Sequence, residues 1–136
     1  MRGLSVATDP HRGVKVQDTL QSIDDPDIFA IGDCADIADY KLPRIGVFGV
    51  RAAPVLLANL VAQTRNQAEV QTQGDPLQSF KPQHKWLAAQ NLGDGTGLAW
   101  WGVREGEGGP AWRGRTALWL KNWIDVRFVK GYQALY

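Results

Sequence analysis

The sequence predicts an α/β unit followed by a smaller α+β unit. Three observations predict it. Val14 and Val16 alternate with Lys15 and Gln17, and a continuous apolar run, Ile28 to Ile31, follows them and ends at Gly32-Asp33; these are the two patterns of a half-buried and a fully buried strand. Helical periodicity then runs over residues 46–64. A polar stretch over 65–79, rich in Gln, Asn and Thr and broken by Gly74 and Pro76, separates all of this from a second group of apolar segments.

Each element has a local cause. Residues 1–13 are polar and broken by Pro10 and Gly13, so they read as a loop. Asp18 and the run Gln21 to Asp25 give a turn after the first strand. Pro26 sets the upstream limit of the run 28–31. At its far end Gly32 lets the backbone turn and pass close to another group, since it has no Cβ. A loop through Asp36, Asp39 and Lys41 leads to Pro43. In the helix, Val47, Val50, Leu57, Ala58 and Val61 fall on one face, with Asn59 and Gln63 off it and Arg51 at its edge. Pro54 lies inside the helix, so the helix either kinks there or starts later.

Beyond the linker, Trp86–Leu92 and Leu98–Val103 read as strands joined by Gly93-Asp94-Gly95-Thr96-Gly97. That glycine run superficially suggests a phosphate loop. Leu98-Ala99-Trp100-Trp101 does not continue it as a helix, so a hairpin turn is the better reading. Gly106, Gly108, Gly109 and Pro110, interleaved with Glu105 and Glu107, form a loop. A second helix follows over 115–130, with Leu120, Trp123, Ile124 and Phe128 on one face and Lys121, Asp125 and Lys130 elsewhere.

Composition excludes several classes of function. The formal charge of +1 gives no whole-chain argument for nucleic acid binding. The one cysteine, Cys34, allows no internal disulfide and fits a reducing compartment. No stretch reads as the roughly 20 apolar residues of a membrane span, and residues 1–4 have no signal-peptide core. His11 and His84 lie far apart, so no metal set or catalytic triad is visible.

The residue of first interest is Asp33. A carboxylate at the carboxyl end of a buried strand stands where open α/β sheets bind ligands, and it can accept hydrogen bonds from sugar-like hydroxyls. The same residue type also caps turns and helices. Cys34 beside it has no second thiol for a dithiol cycle and reads as a small packing residue. The amino end of the helix after it offers unpaired N–H groups and partial positive charge.

These segments together resemble the second flavin-binding motif of the pyridine nucleotide-disulfide oxidoreductases. The likeness is carried by Val14–Gln17 and Thr19–Ser22, by Ile28–Ala35, by Leu42-Pro43-Arg44-Ile45-Gly46-Val47-Phe48-Gly49-Val50-Arg51 and by Ala58-Asn59-Leu60. It continues more loosely through 123–128. It is nearest to the type II NADH dehydrogenase-like branch, including members associated with selenide,water dikinase. The resemblance implies the end of an FAD-binding Rossmann-like domain over 1–64, a linker over 65–79 and a small α+β interface domain over 80–136. It implies that Gly32 and Asp33 meet the ribityl chain of FAD and that the backbone at Gly46, Val47 and Phe48 faces the flavin ring. Arg51 would approach the flavin or a substrate, or stay solvated.

NADH or NADPH would be the co-substrate, served by sequence outside this chain. No glycine-rich dinucleotide fingerprint is present here. The expected partners are therefore the amino-terminal portion of such a flavoprotein, a second copy, and a membrane surface met by residues 115–130. Packing of that helix on its own small sheet or on a subunit partner is the preferred reading, since its apolar stripe is short. The expected location is the cytoplasm, with a peripheral position at a membrane as the alternative.

Overall fold

A computed structural model of the chain describes residues 6–68, 74–103 and 108–133. The central part of the expected linker, 69–73, and Glu105, Gly106 and Glu107 of the expected loop lie outside the described residues. The chain divides into two compact units, Met1–Pro82 and Gln83–Tyr136.

In the first unit, strands β1 (Thr8–Asp9) and β2 (Gly13–Val16) pair antiparallel, and β2 pairs parallel with β3 (Ala35–Ile37). The parallel register sets Val14, Lys15 and Val16 against Ala35, Asp36 and Ile37. Sequence reasoning placed 35–41 in a loop. β3 is too short to show a period of two, and its middle residue is charged.

The run 28–31 is extended but is not a ladder strand. It holds one isolated bridge, Phe29 to Gln21, flanked by Ser22 N–H to Ile28 C=O and Ala30 N–H to Leu20 C=O. Those bonds use one edge only. The pairing stops at this single bridge, so no continuous ladder forms. Leu20, at φ 68°, closes the turn before it and is fully buried.

Helix α1 (Gly46–Ala68) runs past Pro54 and four residues beyond the sequence estimate. It starts at Gly46, so the proline sits inside it rather than before it. Its buried residues are Phe48, Ala52, Asn59 and Ala62. Ala52 joins Val16, Leu20, Ala30, Ile37 and Phe80 in the core. The expected face is therefore reversed. Val50, Leu57 and Val61 are exposed, and Asn59, expected off the core face, has no exposure at all. The physical reason is that Asn59 finds complete hydrogen bonding inside. Its Nδ2 donates to the carbonyls of Thr19 (2.7 Å) and Gln78 (2.9 Å), and its Oδ1 accepts from Gln78 N–H at 2.7 Å. A buried amide that is satisfied this way costs little to bury. The segment 74–80 is thereby tied to the helix, and Phe80 N–H bonds to Asp18 C=O.

By length and composition α1 would also serve as a membrane span, with a mean hydropathy of 1.4 over its most apolar stretch. The sequence reading found no such stretch, because Arg51 and Asn59 interrupt the apolar run.

The second unit is a three-stranded antiparallel sheet, β4 (Lys85–Asn91), β5 (Gly97–Val103) and β6 (Ala111–Gly114), in that order. Helix α2 (Arg115–Gln133) packs on it. β4 and β5 are the two strands read from the sequence, joined by the glycine hairpin. β6 went unseen because it abuts a glycine-rich loop. Small residues let helix and sheet meet: a Cβ on Gly97 would stand 2.5 Å from the Leu118 nitrogen. Ala117 and Ala99 are fully buried. Along α2 the inner face is Ala117, Leu120 and Ile124, whereas Trp123 and Phe128, expected with them, are about half exposed. Trp123 falls instead on the outer side with Trp119 and Val126, at spacings of four and three. Lys121 is half-buried by its aliphatic stem and pairs with Asp125.

Candidate functional site

Gly32, Asp33 and Cys34 form a single 3-10 turn between the extended run and β3. Gly32 has φ 66°, and the turn closes with Ala35 N–H on Gly32 C=O. Two close backbone approaches hold it. A Cβ on Gly49, in the first turns of α1, would meet Gly32 Cα at 3.4 Å. On the other side, a Cβ on Gly13 would stand 2.2 Å from the Cys34 carbonyl oxygen. A side chain at Gly13 would push the turn away from β2, whereas at Gly49 it would only reach van der Waals contact with the turn.

The turn opens on a cavity of about 140 Å³ in the first unit. Gly32 and Asp33 line one part, Ile45, Phe48 and Ala52 from the start of α1 line another, and Tyr40, Leu42, Pro43 and Phe80 complete its apolar wall. The Asp33 side chain is exposed. Of the residues read from the sequence, Gly32, Asp33 and Phe48 are thus brought together. Gly46 and Val47 lie in the first turn of the same helix but do not line the cavity. Arg51 is exposed and also outside it. Cys34 is exposed rather than packed, its thiol donating to Ile31 C=O at 3.2 Å. The turn rotates it away from the core, a reversal that reading 28–31 as a straight strand could not anticipate.

Three basic residues given no role at the site by the sequence also line the cavity: His11, set aside as a metal or triad residue, Arg12, and Arg44 of the motif before α1. Arg12 Nε bonds Asp36 Oδ1 at 2.5 Å, and its Nη2 reaches the Tyr40 carbonyl at 3.3 Å. Arg44 donates to the His11 carbonyl. Asp9 receives the N–H groups of His11 and Arg12, and the bond from His11 above all holds its carboxyl below the usual carboxylate range. The local signal was Asp9-Pro10-His11-Arg12-Gly13, an Asx turn that aims Arg12 across the sheet.

Chemically, the site offers a carboxylate acceptor and a helix start with no acidic side chain in its first turn. Such a start favours negative charge. A glycine at positive φ leaves room beside it. At about 140 Å³ the cavity is well below the roughly 300–1,000 Å³ of sites that enclose a drug-sized ligand. Its size suits a small group or one part of a larger ligand.

Comparison with known proteins points to the flavin-dependent oxidoreductases at a coarse level. The chain is 34% identical over 98 residues to the FAD-dependent oxidoreductase FVFD30 of Flammulina velutipes. The match takes in 69% of this chain and 27% of that protein, so the chain spans about a quarter of the relative's length. No family model matches the chain.

Proposed function

We propose that this chain is the carboxy-terminal part of an FAD-dependent NAD(P)H oxidoreductase of the type II NADH dehydrogenase-like kind, not catalytic by itself. The complete protein would move electrons from NADH or NADPH through FAD to a quinone or another acceptor. In this reading residues up to 64 are the end of a Rossmann-like FAD domain, and 80–136 are a small interface domain. The observation that carries the reading is that one cavity is shared by Gly32, Asp33 and the opening turns of α1. The similarity to a named FAD-dependent oxidoreductase supports it.

The residues fit the cofactor as one side of its site. Asp33 would accept a hydrogen bond from a ribityl hydroxyl, which orients the cofactor without moving a proton. Gly32 would admit the chain closely. The amino end of α1 at Gly46 and Val47 would favour the negative charge of a reduced ring, while Phe48, whose N–H bonds Ile45 C=O at 3.1 Å, would line the site with its side chain. FAD supplies reversible hydride acceptance when bound.

Two measurements test this. The purified 136-residue chain should show little or no flavin absorbance near 450 nm; stoichiometric flavin would contradict the statement that the site is partial. In the Flammulina velutipes protein with its matched segment replaced by this chain, Asp33→Ala should lower flavin occupancy about tenfold, the equivalent of one charge-assisted hydrogen bond. Unchanged occupancy would remove Asp33 from the site.

A second reading, a non-catalytic module for dimerisation or for lying on a membrane, has one specific observation behind it. Trp119, Trp123 and Val126 are 50–67% exposed on the outer side of α2, with Arg115, Arg127 and Lys130 nearby, and Arg127 stands 5.6 Å from the Trp123 ring centre. Apolar and basic residues side by side suit a headgroup surface. Sedimentation with anionic vesicles, compared with Trp123→Glu, decides it. Binding that the variant does not change would dismiss this helix as the contact.

A further inference from the structure

We propose that the outer face of α1 is the seat of the remaining polypeptide of a longer flavoprotein, packed there as a second apolar layer. This inference rests on the reading above and extends it to a particular surface. Val50, Leu57, Leu60 and Val61 are 41%, 65%, 42% and 42% exposed. Val50, Leu57 and Val61, at spacings of seven and four, fall with Pro54 on one stripe at 100° per residue, and Leu60 borders it. No charged side chain interrupts the stripe between Val50 and Val61, since Arg51 projects to its flank.

A groove of about 490 Å³ runs along this face. It is lined by Pro54, Leu57, Ala58 and Val61 of the helix and by Pro76 across from them. Arg65 and Asp75 pair at its rim at 3.7 Å. The opposite side of the same helix already holds the core through Phe48, Ala52 and Ala62. A helix apolar on both sides is an interior helix of a larger protein or a membrane span.

The bonding of α1 favours the first of these. Asn59 makes three hydrogen bonds to Thr19 and Gln78, and Ala52 is part of the core. Moving α1 into lipid would break all of that. The occupant follows from the comparison: 73% of the Flammulina velutipes protein lies outside the match. That is more than enough chain to supply the opposing layer.

The test uses the full 136-residue chain and the double variant Leu57→Lys/Val61→Lys. Both side chains are exposed here, so the variant should fold with the same circular dichroism and the same melting temperature as the parent. A variant that does melt lower is replaced by Leu57→Gln/Val61→Gln, which removes the apolar anchors without adding charge and keeps good helix formers at both positions. The non-matching portion of the Flammulina velutipes protein is co-expressed with an affinity tag. The parent chain should be captured with it, and the variant about a hundredfold less, since two apolar anchors are lost from the interface. Absence of parent capture, or equal capture of parent and variant, overturns the proposal. So does a stable dimer of the isolated chain, or its binding to neutral phosphatidylcholine vesicles, if the double variant abolishes either. Absorbance near 450 nm in the captured complex is scored separately: a complex without flavin refutes the cofactor assignment and leaves the docking face standing.

Discussion

Replacing Asn59 by alanine tests how the first unit is held together. The side chain makes three bonds of 2.7, 2.9 and 2.7 Å, to Thr19 C=O, Gln78 C=O and Gln78 N–H, from a position with no solvent exposure. Gln78 is exposed, so water recovers its two groups after truncation, and those two bonds count for about 1 kcal/mol each. The Thr19 carbonyl is half-buried, and its loss costs about 1–2 kcal/mol. The sum is about 3–4 kcal/mol. For a unit of this size each kcal/mol moves the midpoint by about 4–8 °C, so Asn59→Ala should lower the first unit's transition by about 12 °C or more in scanning calorimetry. Asn59→Asp keeps the acceptor for Gln78 N–H but sets a negative charge against two carbonyls, and should cost more at pH 7 than alanine does. A loss below about 1 kcal/mol for alanine, or a native-like melt for Asn59→Asp at pH 7, would refute the view that this amide clamps 78–80 to α1.

Gly13→Ala should prevent folding of the first unit, because its Cβ would stand 2.2 Å from the Cys34 carbonyl oxygen at φ 97°. Gly32→Ala meets only ordinary contact with Gly49, at 3.6 Å, and should lose about 1–2 kcal/mol from positive φ alone; urea unfolding ranks the two, and the reverse order would be wrong for this geometry. Gly97→Ala should lift α2 from the sheet, since its Cβ would lie 2.5 Å from the Leu118 nitrogen, and tryptophan fluorescence should report a loosened second unit. Asp94 is hydrogen-bonded by Thr96 and by Arg113, and the Thr96 hydroxyl bond above all holds its carboxyl below the usual range. A lowered carboxyl contributes stability above its unfolded pKa and loses it as pH falls through the folded one. The native chain should therefore lose part of its second-unit stability as the solution is taken from pH 5 into the acid range. Asp94→Asn should flatten that loss in thermal melts between about pH 5 and pH 2.5.

The hairpin and α2 were legible because glycine spacing and helical periodicity are local signals. The span of α1 was legible for the same reason. Which of its faces turns inward was not: Val50, Leu57 and Val61 make the stronger stripe, and only the bonds from Thr19 and Gln78 decide for Asn59. β3 and the 3-10 turn depend on pairing with β2 and on contact between two glycine backbones, neither of which leaves a periodic trace. At the site, Gly32, Asp33 and Phe48 were readable from the motif. Arg12 reaches the cavity by crossing from another segment, so no spacing announces it, and Arg44 stands within the motif without a pattern that assigns it a role.

The contact of Gly32 with Gly49 makes turn and helix one mechanical piece, with no side chain between them to absorb movement. A shift of α1 would therefore be felt at the turn that carries Asp33, and in the proposed assembly the docking face and the carboxylate would move together.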